Sequence, residues 1–84
     1  MLKARVVGSV WSTKKVEGLP GGAFLEVEVD GPPGGTGSRL VAFDVLGSGI
    51  GERVLVATGS VAAAYFPEPH PPLDALIIGS IDES

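Results

Sequence analysis

Alternation of apolar and polar positions dominates the chain. In "LKARVVGSVWSTKK", Leu2, Ala4, Val6, Gly8 and Val10 fall on one side and Lys3, Arg5, Val7, Ser9 and Trp11 on the other, the period of a long β-strand. Its second side is basic at the start and is expected to be partly buried by Trp11, with Gly8 admitting a bend or bulge. "AFLEVEVD" is the cleanest signal: Leu25, Val27 and Val29 point one way, and Phe24, Glu26, Glu28 and Asp30 the other. That pattern predicts a strand with one solvated face. "RLVAF" and "RVLVATG" predict two further strands, and "DALIIGSIDES" a last one that is apolar on both faces at Leu76, Ile77 and Ile78.

The segments between them are rich in chain-breaking residues. "KKVEGLPGG" and "GPPGGTGS" read as loops, the second closing a wide hairpin between the second and third strands. "SVAAAYF" has the composition of a short helix, with Ser60 as the expected N-cap and Pro67 as its stop. "PEPHPPL" carries Pro67, Pro69, Pro71 and Pro72 and is expected to run rigid and extended. Five short strands, one short helix and glycine corners predict an all-β fold, a small five-stranded β-barrel, in which closure removes exposed strand edges.

Composition narrows the function. At 84 residues the chain forms one domain, read as spanning 1–84, with a thin core, and without cysteine neither disulfides nor thiolate metal sites can reinforce it. It is nevertheless apolar, with a mean hydropathy of +0.35, so self-association is expected to cover surplus greasy surface. No run reaches the length of a membrane-spanning helix, and charge interrupts "MLKARVVGS" before any signal-peptide pattern, so a soluble cytoplasmic protein with no membrane partner is expected. The net charge is -4 and Lys14-Lys15 is the densest basic spot, which argues against nucleic acid as a partner.

Gly47, Gly49 and Gly51 in "VAFDVLGSGIGERVLVATGS" raise the question of a phosphate cradle. Such a cradle opens into a helix, whereas this stretch leads into the β pattern "ERVLVATG", and a Gly-Lys-Ser/Thr ending is missing. The stretch is read as a tight turn between strands, with an anion nest as the lesser alternative. Asp44 is expected to accept backbone amides of that turn rather than to act as an acid or base, and Asp74 to start the last strand in the same manner. Asp44 and Glu52 flank the turn closely enough to approach each other. His70, the single histidine, lies in the proline-rich segment, where no serine can be placed beside it and too few partners exist for zinc. No enzyme, cofactor or metal site is expected. Trp11, Phe24, Phe43, Tyr65 and Phe66 are assigned to core and subunit contacts.

Three blocks, in order and in spacing, resemble the pentameric vertex proteins of bacterial microcompartments, the family of the ethanolamine-utilisation and carboxysome vertex subunits. They are "ARVVGSVWSTKKVEGLPG", "LVAFDVLGSGIGERVLVATGS", which is similar to the family pattern "VAxDxxGAGxGEWVLxxxGS", and "PPLDALIIGSIDES". The resemblance covers nearly the whole chain. It implies an oligonucleotide-binding-like barrel, a homopentamer, and a structural role capping shell vertices between hexameric and pseudohexameric shell proteins. It makes Asp44, Gly47, Ser48, Gly49, Gly51 and Glu52 signature residues of the turn, with Gly47 to Gly51 assigned to the five-fold opening. Trp11, Arg53, Tyr65, Phe66, Asp74, Ile77, Gly79 and Asp82 are the interface candidates. Two departures stand out. Arg53 occupies a position that is usually tryptophan, with Trp11 the candidate to compensate, and "GSVAAAYF" replaces the family's "GSSAR". The rival reading is a small barrel that binds a ligand or nucleic acid through its "KKVEGLPGG" and "GPPGGTGS" loops.

Overall fold

A computed structural model describes residues 1–12, 14–31 and 37–82. Strands β1 (Leu2–Val10), β2 (Ala23–Val29), β3 (Arg39–Asp44), β4 (Arg53–Thr58) and β5 (Ala75–Ser80), with helix α1 (Ser60–Ala64) before β5, follow the predicted order. They close into a barrel in the order β1-β2-β3-β5-β4. All neighbours are antiparallel except β3 and β5, which run parallel at Phe43 and Leu76. The expected small closed barrel with one short helix is therefore the fold. Of the predicted hairpin turn over 31–38, residues 32–36 lie outside the described residues. No helix among the described residues is long and apolar enough to cross a membrane.

The period of two fills the barrel. Ala4 and Val6 of β1, Leu25 and Val27 of β2, Ala42 of β3, Val54 and Val56 of β4, and Ala75 and Ile77 of β5 form one buried cluster. The β1–β2 register shifts between Val6 and Gly8, leaving Val7 as an extra residue and turning the strand where Gly8 predicted a bulge. A second cluster, of Phe43, Ala62 and Leu76, lies where α1 covers the opposite side of the β3–β5 pair. This explains the two-faced apolar pattern of the last strand: Ile77 points into the barrel and Leu76 under the helix. Phe24 meets Phe43 edge to face at 5.2 Å, extending that cluster toward the loop before β2. Gly22 ends this loop in contact with Phe43. A Cβ there would sit 2.5 Å from the Asp44 carbonyl oxygen, so only glycine fits.

Four local expectations are corrected. Trp11 does not cover the second face of β1; it follows the strand and is 92% exposed. The N-cap of α1 is Gly59, at φ 78°, rather than Ser60, because the amide of Ala62 turns back to the Gly59 carbonyl. The proline segment turns instead of running extended: the Glu68–Pro69 bond is cis, and the Leu73 amide donates to the Pro71 carbonyl. Asp74 contributes its backbone carbonyl, which accepts the Gly59 amide and ties the start of β5 to the start of α1.

Candidate functional site

The β3–β4 connection is built around one carboxylate. Asp44 ends β3 and is 3% exposed, so its charge must be met inside the protein. Its Oδ2 accepts the amides of Gly47 at 2.9 Å and Ser48 at 2.8 Å. Its Oδ1 accepts the Ser48 hydroxyl at 2.9 Å and the Leu46 amide at 3.3 Å. An aspartate bonding the amides that follow it is a self-contained turn device, and here it leaves the carboxylate no free lone pair for chemistry. Gly47 and Gly51, at φ 81° and 89°, supply the left-handed residues the path requires. Glu52 does not approach Asp44. Its Oε1 accepts the Gly49 amide at 3.3 Å, closing the second half of the loop.

The loop is then fastened to β1. The Gly51 amide donates to Val6 at 2.8 Å, the Val6 amide donates to Glu52 at 3.0 Å, and Arg5 Nη1 reaches the Gly51 carbonyl at 2.9 Å. The result is a fixed ledge that presents Leu46 and Ile50 to solvent. Sequence reading missed these two apolar tips because glycine content drew attention to the backbone. Among the described residues, no group of three or more His, Asp or Glu could hold a metal ion. The arrangement has a shape set by hydrogen bonds, in which Asp44, Ser48 and Glu52 are all engaged.

A second feature was not legible. Arg53 opens β4 and donates both terminal nitrogens to the Asp30 carboxylate, at 2.6 and 2.7 Å. The side chain is mostly buried by this contact, at 20% exposed, and the two residues lie far apart in sequence. Paired donation of this kind is the strong geometry of an arginine–carboxylate pair. It holds the Asp30 carboxyl below the usual carboxylate range, chiefly through the Arg53 hydrogen bonds; lost hydration opposes this, and the charges of Arg53, Lys3 and Arg5 add to it. A carboxyl depressed in the folded state contributes stability above its unfolded pKa of about 3.9, and loses it as pH falls through the lower folded value. Thermal denaturation of the parent and of Asp30→Asn should therefore show a constant gap from neutral pH to about pH 5 that narrows below about pH 4. A gap independent of pH would contradict this role for the pair.

The other interface candidates separate into two groups. Trp11, Tyr65, Asp74 and Asp82 are exposed, Gly79 is half-buried, and Phe66 is half-buried against the second cluster with Tyr65 edge-on at 5.4 Å. Ile77 is 1% exposed and belongs to the barrel interior, so it is removed from that set. Nor does Trp11 stand in for the tryptophan expected at position 53. Arg5 is the β1 partner of Arg53, and Trp11 lies six residues further along, about 20 Å at the rise of a strand.

The chain and its barrel are similar to known proteins. Residues 1–82 match the profile described as ethanolamine utilisation protein EutN/carboxysome, EutN_CcmL. The chain belongs to the EutN/CcmL family. It is 39% identical to the bacterial microcompartment shell vertex protein PduN of Salmonella typhimurium, over 94% of this chain and 92% of that one. It is 42% identical to the carboxysome shell vertex protein CcmL of Synechocystis, over 98% of this chain and 83% of that one. The solved structure of the pentameric shell protein MSM0273 from the RMM microcompartment superposes with a TM-score of 0.89 at 65% identity, covering 98% of this chain and 91% of that one. As a member of this family, the chain is of the bacterial microcompartment shell vertex type.

Proposed function

We propose that five copies of this chain, each acting as a single domain over 1–84, form a ring that closes a vertex of a polyhedral microcompartment shell. The ring sits in the cytoplasm among hexameric and pseudohexameric shell proteins. The observation that carries this reading is the likeness to MSM0273, described as pentameric, at 65% identity across 98% of the chain. Chains this similar are expected to associate through the same contact, as closed-symmetry oligomers do. The braced turn supports the reading physically. Repeating Asp44, Gly47, Ser48, Gly49, Gly51 and Glu52 five times around an axis gives a rim whose shape is set by backbone hydrogen bonds, and this turn forms the five-fold opening. Of the candidates on the flanks, Trp11, Arg53, Tyr65, Phe66, Asp74, Gly79 and Asp82 lie at or beside subunit contacts.

Co-expression with a hexameric shell protein tests the proposal. Electron microscopy should show closed polyhedra when the chain is present, and open or tubular assemblies when it is omitted. Shells that close equally well without it would contradict the vertex role.

A further inference from the structure

The β1–β2 end of the barrel carries a pocket that the proposed vertex role leaves without a use. It has a volume of about 250 Å³ and opens between the end of β1, the loop after it and the start of β2. Val10, Trp11, Ala23 and Phe24 supply its apolar lining, and Lys15 its charge. The floor is held in place. Val10 and Phe24 are cross-strand partners, and Phe24 meets the buried Phe43 edge to face at 5.2 Å. Trp11, at 92% exposed, stands as an open wall, and among the described residues no ring meets its indole. Lys15 Nζ lies 5.7 Å from the centre of the Phe24 ring. An aromatic face attracts an ammonium without neutralising it. No carboxylate among the described residues pairs with Lys15.

We propose that this pocket binds a small aromatic carboxylate, with its ring between Trp11 and Phe24 and its carboxylate on Lys15 Nζ. The inference goes beyond the ring of subunits and does not depend on it. Size sets the first limit. An engineered apolar cavity of about 150 Å³ holds one benzene molecule, so about 250 Å³ takes one ring with a short acidic side chain. Charge sets the second. The chain is acidic overall at net -4, but at physiological salt exposed charges more than about 8 Å apart are largely screened. Lys14 and Lys15 then set the local sign. Two adjacent cations suit a single carboxylate, whereas a polyanion such as nucleic acid needs a row of them. A carboxylate on an ammonium is a charge-assisted contact, stronger than one between neutral groups. The loop "KKVEGLPGG", a candidate binding element in the sequence, contributes Lys15 and Gly22 to the lining. The glycine turn offers no comparable site, because Asp44 already takes its amides.

A titration of the full chain with phenylacetate, followed by the fluorescence of its single tryptophan, tests this. Trp11 lines the pocket, so occupancy should change its emission saturably, with a dissociation constant of about 1 mM or tighter. Phenylacetamide has the same ring and no charge, and it should bind about tenfold more weakly. Phenylacetate should lose about the same factor on Lys15→Met, and less than about threefold on Lys14→Met. Backbone amide shifts in NMR spectra should fall on residues 9–12 and 22–24. Emission that does not saturate by about 20 mM, or shifts centred elsewhere, would overturn the proposal. Equal affinities for the acid and the amide would overturn it as well, since Lys15 would then play no part. Native mass measured on the same sample keeps the two proposals apart. A ring that binds no phenylacetate refutes the pocket alone, and a single chain that binds it refutes the ring alone.

Discussion

Replacing Asp44 with alanine is expected to cost about 3 kcal/mol and to lower the melting temperature by roughly 10 to 20 °C. The carboxylate accepts three amides and one hydroxyl from residues 46 to 48, and alanine would leave those donors without their shared partner in a half-buried turn. Bonds to a charged acceptor are each worth about 1.5 to 3 kcal/mol, but they share one group and do not add fully, so the total falls well short of their sum. Ser48→Ala removes only the hydroxyl bond and should cost about 1 kcal/mol. Thermal denaturation at matched chain concentration separates the two, since association would otherwise shift both midpoints. An Asp44→Ala chain within about 0.5 kcal/mol of the parent would mean that β1, and not the carboxylate, holds the loop.

Phe43→Ala should be more severe, at about 3 to 5 kcal/mol. Phe43 is 1% exposed and is the largest fully buried side chain among the described residues, and it joins Leu76, Ala62 and Phe24 beneath the helix. A domain of this size has only about 5 to 15 kcal/mol in total, so the variant is expected to be near the edge of folding. The loss concentrates on α1, whose five residues are too few to persist without packing. Urea denaturation followed by fluorescence and by circular dichroism is the check. A midpoint within 0.5 M of the parent's, roughly 1 kcal/mol at ordinary slopes, would contradict the view that this cluster anchors the helix.

How much of this was legible in the sequence depends on how local each feature is. β2 was plain because one face is buried and the other solvated, so Leu25 and Val27 alternate against Glu26 and Glu28. The Asp44 turn was plain because its partners lie within four residues. β3 and β5 were harder. Their double burial at Phe43 and Leu76 comes from a helix packed outside the barrel, which periodicity along one strand does not report. The Arg53–Asp30 pair depends on β1 lying between β2 and β4, so that Val29 and Val54 both border Ala4. No spacing rule reaches across three strands. The shift from Ser60 to Gly59 at the helix start has a smaller cause, because Gly59 at positive φ already bends the chain and its carbonyl takes the first turn's amide. Trp11 shows the limit most clearly. Alternation put it on a face of β1, but the strand ends at Val10 and Trp11 stands exposed beyond it.

The native mass of the purified protein in dilute buffer at near-physiological salt tests the proposed ring most directly. The chain weighs 8.5 kDa, and the account predicts a single species of about 42 kDa, five copies, that persists on dilution. A stable species of 8.5 kDa would contradict it.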